Sequence, residues 1–157
     1  MQSLLVIFLF GLGWRVLSLG LADATSRSSP QKTLQWRPNH PAALFLLAEQ
    51  QAKTPELHRQ AKTNALATLR AYPLEGRAYR VLGQLAEAEK KPQVAFEFYQ
   101  KAVKYSPRDV QSHLWLLNYS LKAEDAKAAV AHLDAMLRLE KSLMPQLMPM
   151  IGGLAIH

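Results

Sequence analysis

Residues 76–107 read GRAYRVLGQLAEAEKKPQVAFEFYQKAVKYSP, and this stretch decides the fold. Apolar and small residues recur at spacings of three and four, which is the period of a helix with one buried face. The pattern breaks at Glu89-Lys90-Lys91-Pro92 and again at Ser106-Pro107. Two helices of about 13 residues, joined by a tight turn, are therefore predicted. Gly83 and Ala95 are small where the two helices would cross closely. Tyr79, Leu82, Tyr99 and Val103 are large where they would fill the space between helices. Working outward, the same spacing returns on both sides. Pro73 and Pro107 are 34 residues apart, as are Ala61, Ala95 and Ala129, and Leu69, Val103 and Leu137. A fixed period of this length is the mark of a stack of helix-turn-helix units.

The residues of the middle unit, Tyr79-x-x-Leu82-Gly83-x-x-Ala86, Ala95-x-x-x-Tyr99, Ala102 and Pro107, resemble the tetratricopeptide repeat. Ala86 departs from the family pattern, which usually has Tyr at that slot. The flanking units resemble it less closely. Phe45, Ala48, Ala61 and Pro73 keep the register of the first, with Glu49 in place of the glycine. Leu116, Ala129, Leu133 and Leu137 keep that of the third, with Leu117 for the glycine and Lys141 for the closing proline. The resemblance implies an all-α fold of antiparallel helix pairs, a TPR-like α-solenoid of about three units over 42–141 (42–75, 76–109 and 110–141). Turns are expected near 54–56, 72–76, 89–92, 105–109 and 122–125. Pro41, Pro55, Pro73, Pro92 and Pro107 fall at helix starts or turns, where a missing N–H costs little. Ser106-Pro107-Arg108-Asp109 reads as an N-cap serine followed by a first-turn proline.

Before the repeats, residues 25–41 are rich in Ser and Pro at both ends and read as a linker, with Trp36 expected to pack on the first repeat helix. Residues 4–22 are apolar but for Arg15 and Ser18, and 19 residues approach the length needed to span a bilayer as a helix. Residues 1–24 thus read as an uncleaved membrane anchor. The alternatives are a signal peptide cleaved after Ala22-Asp23-Ala24, and a buried helix. Arg15, Arg27, Lys32 and Arg37 follow the apolar core and none precedes it, which would keep the repeats inside. The short leading tail and the Ala-x-Ala site argue for export, and the expectation is a bacterial inner-membrane protein with exported repeats. After the repeats, residues 142–157 are apolar and broken by Pro145, Pro149, Gly152 and Gly153. Such a tail caps a stack poorly. It either packs against a partner or the membrane, or begins a further element of a longer chain.

The 157 residues carry a formal charge of +7, unchanged when the first 24, which hold only Arg15 and Asp23, are set aside. A basic folded part favours acidic partners. The chain has no cysteine, which excludes disulfides, thiolate metal sites and thiol nucleophiles. There is no phosphate-binding Gly-rich loop and no nucleophile elbow. His40, His58, His113, His132 and His157 include no pair at the four-residue spacing of helical metal sites. His113 falls in a slot between helices and reads as packed. Glu87 with Glu89, and Glu124 with Asp125, read as solvated turn residues. No enzyme, cofactor, metal, nucleic acid or small-molecule substrate is expected.

The resemblance also implies a concave groove lined by the first helix of each unit, where family members commonly bind extended peptides. The helical register places Gln50, Lys53, Arg77, Arg80, Gln84, Gln111, Asn118 and Lys122 there. Amides can hydrogen-bond a peptide backbone and arginines can fork a carboxylate. The same residues also read as a solvated surface. Resemblance and architecture together imply a membrane-tethered protein-protein interaction scaffold in bacterial envelope or polysaccharide assembly, whose partner is a protein or extended peptide, acidic or not, with residues 4–22 in the membrane. The alternative is a regulatory or accessory subunit of an enzyme whose catalytic part lies elsewhere.

Overall fold

The computed structural model describes residues 29–139. Seven α-helices follow one another: α1 Pro30–Trp36, α2 Pro41–Gln51, α3 His58–Ala71, α4 Gly76–Ala88, α5 Pro92–Tyr105, α6 Val110–Lys122 and α7 Ala126–Leu139, with a 3-10 turn at Pro55–Leu57 before α3. The described residues contain no strand. Packing pairs α2 with α3, α4 with α5 and α6 with α7. The breaks fall where proline and turn residues predict them. The chain divides into two compact units between Pro73 and Leu74.

Burial follows the 34-residue register. Leu44, Ala78 and Ser112 are buried, and so are Ala48, Leu82 and Leu116; Ala61, Ala95 and Ala129; Ala65, Tyr99 and Leu133; and Thr68, Ala102 and Met136. The side chains at one slot differ in size, so each pair fills its core differently around a shared backbone plan.

The first unit holds α1 to α3. Residues 30–36, read from sequence as linker, form the helix α1, which packs on α2. Pro30 sits at its first position, Thr33 is fully buried, and the Arg37 N–H bonds the Thr33 carbonyl at 2.9 Å. Trp36, expected to pack on the first repeat helix, is instead 65% exposed. His40 caps α2, its Nδ1 accepting from the Ala43 N–H at 3.3 Å. Asn64 of α3 donates to Gln51 of α2 at 2.8 Å.

The second unit holds α4 to α7. Leu82, Leu85, Ala86, Ala95, Tyr99 and Leu116 are buried in its core, and Phe96, Phe98, Val103 and Trp115 pack against it. A second cluster, Leu117, Ala129, Leu133 and Met136, sits between α6 and α7. Both glycines of the α4–α5 pair mark close approaches. A Cβ on Gly83 would stand 2.9 Å from the Tyr99 ring, and one on Gly76 would stand 2.6 Å from the Ala102 carbonyl and 2.5 Å from Ser106 Oγ. Gly83 was legible as such a contact from the repeat pattern, whereas Gly76 was not.

Helices α4 and α6 end alike. Lys90 (φ 57°) and Glu124 (φ 58°) are left-handed, although neither is glycine. The next N–H in each turn reaches back five residues, Lys91 to the Ala86 carbonyl and Asp125 to the Ser120 carbonyl, both at 2.9 Å. This is the Schellman ending, which satisfies carbonyls that the helix leaves unpaired. At the next junction, Asp109 rather than Ser106 occupies the N-cap of α6, and Ser106 closes α5. The N-cap expected at Ser106 thus lies three residues further on.

Candidate binding cleft

The second unit presents a cleft of about 550 Å³ lined by Glu87 of α4, Lys90, Pro92 of α5, Trp115, Asn118, Tyr119 and Lys122 of α6, and Ala123. Its position follows from the two helix ends just described. The left-handed residue at 90 turns the chain sharply into α5 and leaves Lys90 at the rim. Two of its lining residues, Trp115 and Tyr119, belong to a longer aromatic stack. Tyr99 stacks on Trp115 with centroids 4.4 Å apart, Trp115 on Tyr119 at 5.2 Å, and Tyr119 on Phe96 at 4.7 Å. Tyr119 also donates its hydroxyl to Gln93 at 3.0 Å, tying α6 to α5. Such rings hold a rigid, flat surface at low entropic cost.

The polar groups divide into those already engaged and those available. Burial, reinforced by the charge of Glu87, pushes the Tyr99 hydroxyl far above the ordinary tyrosine range, so it stays protonated at any physiological pH. Asn118 uses its amide N–H on the Leu114 carbonyl at 3.1 Å, which leaves its amide oxygen to accept from a ligand. Lys90 and Lys122 are exposed and paired with no acid among the described residues. Lys91, next to Lys90, is held by Glu89 at 2.7 Å.

Of the residues placed in a groove from sequence, Asn118 and Lys122 line this cleft. Arg77 stands exposed on the first turn of α4, forked onto Glu75 at 2.8 and 3.1 Å. Hydrogen bonding from Arg77 is the main reason the Glu75 carboxyl titrates below its ordinary value, outweighing the opposing effect of burial. Arg80 is 7% exposed. Its Nε lies 3.0 Å from Asp109 Oδ2, and it donates to Gln111. Asp109 also accepts from Ser112 Oγ at 2.8 Å. Arg80 and Gln111 thus clamp α4 to the start of α6. Gln84 is half-buried on α4. Gln50 and Lys53 belong to the first unit and are exposed there.

Sequence reasoning missed Trp115, Tyr119 and Lys90 as cleft residues. The 115/119 spacing of one helical turn signalled a shared aromatic face. Nothing local to residue 90 signalled a left-handed lysine. Among the described residues no three His, Asp or Glu side chains converge as metal ligands, and no helix is long and apolar enough to cross a membrane. The stretches 1–24 and 142–157, on which the anchor, signal and tail expectations fall, lie outside the described residues.

No family model matches the chain, and no curated protein matches it. Solved structures do. The MamA RS-1 ArsTM double mutant superposes with a TM-score of 0.57 at 27% identity, covering 85% of this chain and 74% of that one. MamA 41-end from Desulfovibrio magneticus RS-1 gives 0.56 at 27% identity, covering 85% of this chain and 75% of that one. In its all-helical, tetratricopeptide-like repeat fold, this chain is similar to MamA.

Proposed function

We propose that the chain is a protein-interaction scaffold that holds an extended acidic segment of a partner protein in the cleft of its second unit. The observation that carries this reading is the pair of unpaired lysines, Lys90 and Lys122, beside the Trp115 and Tyr119 rings, with an amide oxygen at Asn118. The ammonium groups suit carboxylates. The amide suits a backbone N–H, and the rings suit flat apolar side chains. The helical-repeat fold and the likeness to MamA support a binding rather than a catalytic role. The reading also includes a tether: the apolar run 4–22 anchors the repeats at a bacterial inner membrane, on the exported side, where the scaffold serves envelope or polysaccharide assembly.

The test is binding of a fluorescent glutamate-rich peptide to the full chain, read by anisotropy. Exposed ion pairs contribute about 0–1 kcal/mol each, so Lys90→Gln with Lys122→Gln should weaken binding by about fivefold and lower its salt dependence. The control of equal charge is Lys101→Gln with Lys104→Gln, two lysines of α5 that lie over the rings of Tyr79 and Tyr105. Equal weakening by the two double variants would show that only net charge is sensed, and the cleft reading would be abandoned. Membrane fractionation tests the tether: removing residues 1–24 should release the chain, and its retention would refute that part.

A further inference from the structure

His113 of α6 and His132 of α7 are 19 residues apart in sequence, yet their Nδ1 atoms stand 3.1 Å apart, with ring centroids at 5.4 Å and planes inclined by 56°. His113 is buried, and its Nε2 lies 3.0 Å from the Pro107 carbonyl. A carbonyl only accepts, so Nε2 of His113 carries a proton. The Nδ1 of a neutral His113 is then a bare lone pair, and His132 must donate to it from Nδ1. One proton thus bridges the last two described helices, and a second ties them to the α5–α6 turn. That turn also carries Asp109, the partner of Arg80 on α4.

We propose that the His113–His132 pair is an acid-sensitive latch that holds α7 onto α6. The pair accommodates one added proton. Whichever ring takes it, one N–H···N bond remains between the two Nδ1 atoms. A second added proton converts the remaining acceptor into a donor, so two N–H groups and two positive charges oppose each other across 3.1 Å. The two protonation steps belong to the pair as a unit.

Among the described residues the flanking acids are engaged elsewhere; Asp125, just before α7, accepts from the Ala128 N–H at 3.0 Å. Asp109, one turn before His113, is committed to Arg80 and Ser112. On α7, Asp134 pairs with Arg138 at 2.9 Å, and it lies two residues from His132 and so on another side of the helix. Lys127 of α7 and Arg108 of the turn are exposed cations. On α5, which packs against α6, Glu97 is exposed and Lys101 and Lys104 lie over tyrosine rings. Burial, with the charge of His113 second, holds His132 below the ordinary histidine value of 6.5. The unfolded chain therefore takes up this proton more readily than the folded one. The stabilisation is complete above pH 6.5 and is lost as pH falls through the lower folded value of His132. Beneath the latch lie Leu117, Ala129, Leu133 and Met136, the apolar cluster that release of α7 uncovers.

Hydrogen exchange of the full chain tests the latch, with rates corrected for intrinsic exchange. Between about pH 7.5 and about pH 5, protection of residues 126–139 should fall at least tenfold more than that of residues 76–105, a factor equivalent to one unit of proton linkage. His132→Gln and His113→Gln should each abolish that difference. Equal acid loss in wild type and in His132→Gln, or no loss in wild type, overturns the proposal. Nitrogen-15 NMR of wild-type imidazoles gives a test that needs no variant. The latch requires His113 protonated at Nε2 and His132 at Nδ1 near neutrality; the opposite tautomers would refute it.

Discussion

Replacing Arg80 with methionine keeps the length and apolar stem of the side chain and removes the guanidinium. The Asp109 carboxylate, whose side chain is 11% exposed, then loses its cation and keeps only the Ser112 hydroxyl, while Gln111 loses its donor. Breaking a buried ion pair from one side costs about 3–5 kcal/mol, against about 0–1 kcal/mol for an exposed pair. The retained Ser112 bond and the small residual exposure of Asp109 set the expectation at the lower end, about 3 kcal/mol. Urea unfolding measures it. With a slope of about 1.5 kcal/mol per molar, the midpoint should fall by about 2 M. Fluorescence of Trp115, which stacks on Tyr99 in the same unit, reports the transition once Trp14 and Trp36 are replaced by Phe. Adding Asp109→Asn to Arg80→Met should recover part of the loss, because the stranded charge is gone and an acceptor for Ser112 remains. A loss below about 1 kcal/mol for Arg80→Met would refute the clamp and return Arg80 to the solvent-facing groove.

Further outcomes are expected from the same geometry. Gly76→Ala should cost more than Gly83→Ala in thermal unfolding, because its new methyl meets the Ala102 backbone carbonyl, which cannot swing aside; overpacking of this kind costs about 1–3 kcal/mol. Equal midpoints for the two variants and wild type would count against the close approaches. Lys90→Gly and Glu124→Gly should each raise the unfolding free energy by up to about 1 kcal/mol, since glycine adopts positive φ without the strain an L side chain meets. Destabilisation by both would contradict the left-handed ends. Leu117→Ala should lower stability by about 2–5 kcal/mol, as Leu117 is fully buried in the α6–α7 cluster.

The fold was legible because its punctuation is local. Pro41 and Pro92 open helices, Pro73 and Pro107 mark turns, and the 34-residue repeat fixes which faces are buried. What was hidden depends on distant partners or on brevity. Helix α1 spans seven residues, too few for a helical period to show against flanking Ser and Pro, although Ser29-Pro30 is itself a helix-start signal. Arg80 has groove register, and only Asp109, 29 residues later, reveals that its charge is spent within the fold. His113 and His132 are no motif in sequence because they meet across two helices. Helical register alone put Asn118 and Lys122 on one exposed face. The place of Lys90 and of the Trp115 and Tyr119 rings depends on how the turn at 90 bends and how rings from α5 and α6 interleave.

Amide and indole shift mapping by NMR, with the full chain titrated with the glutamate-rich peptide, separates binding in the cleft from attraction to net charge. The largest changes should fall at residues 87–92 and 115–123, including the Trp115 indole N–H, and should vanish in the Lys90→Gln, Lys122→Gln variant. Changes centred on Lys101 and Lys104, or spread evenly over all lysines, would contradict binding in the cleft.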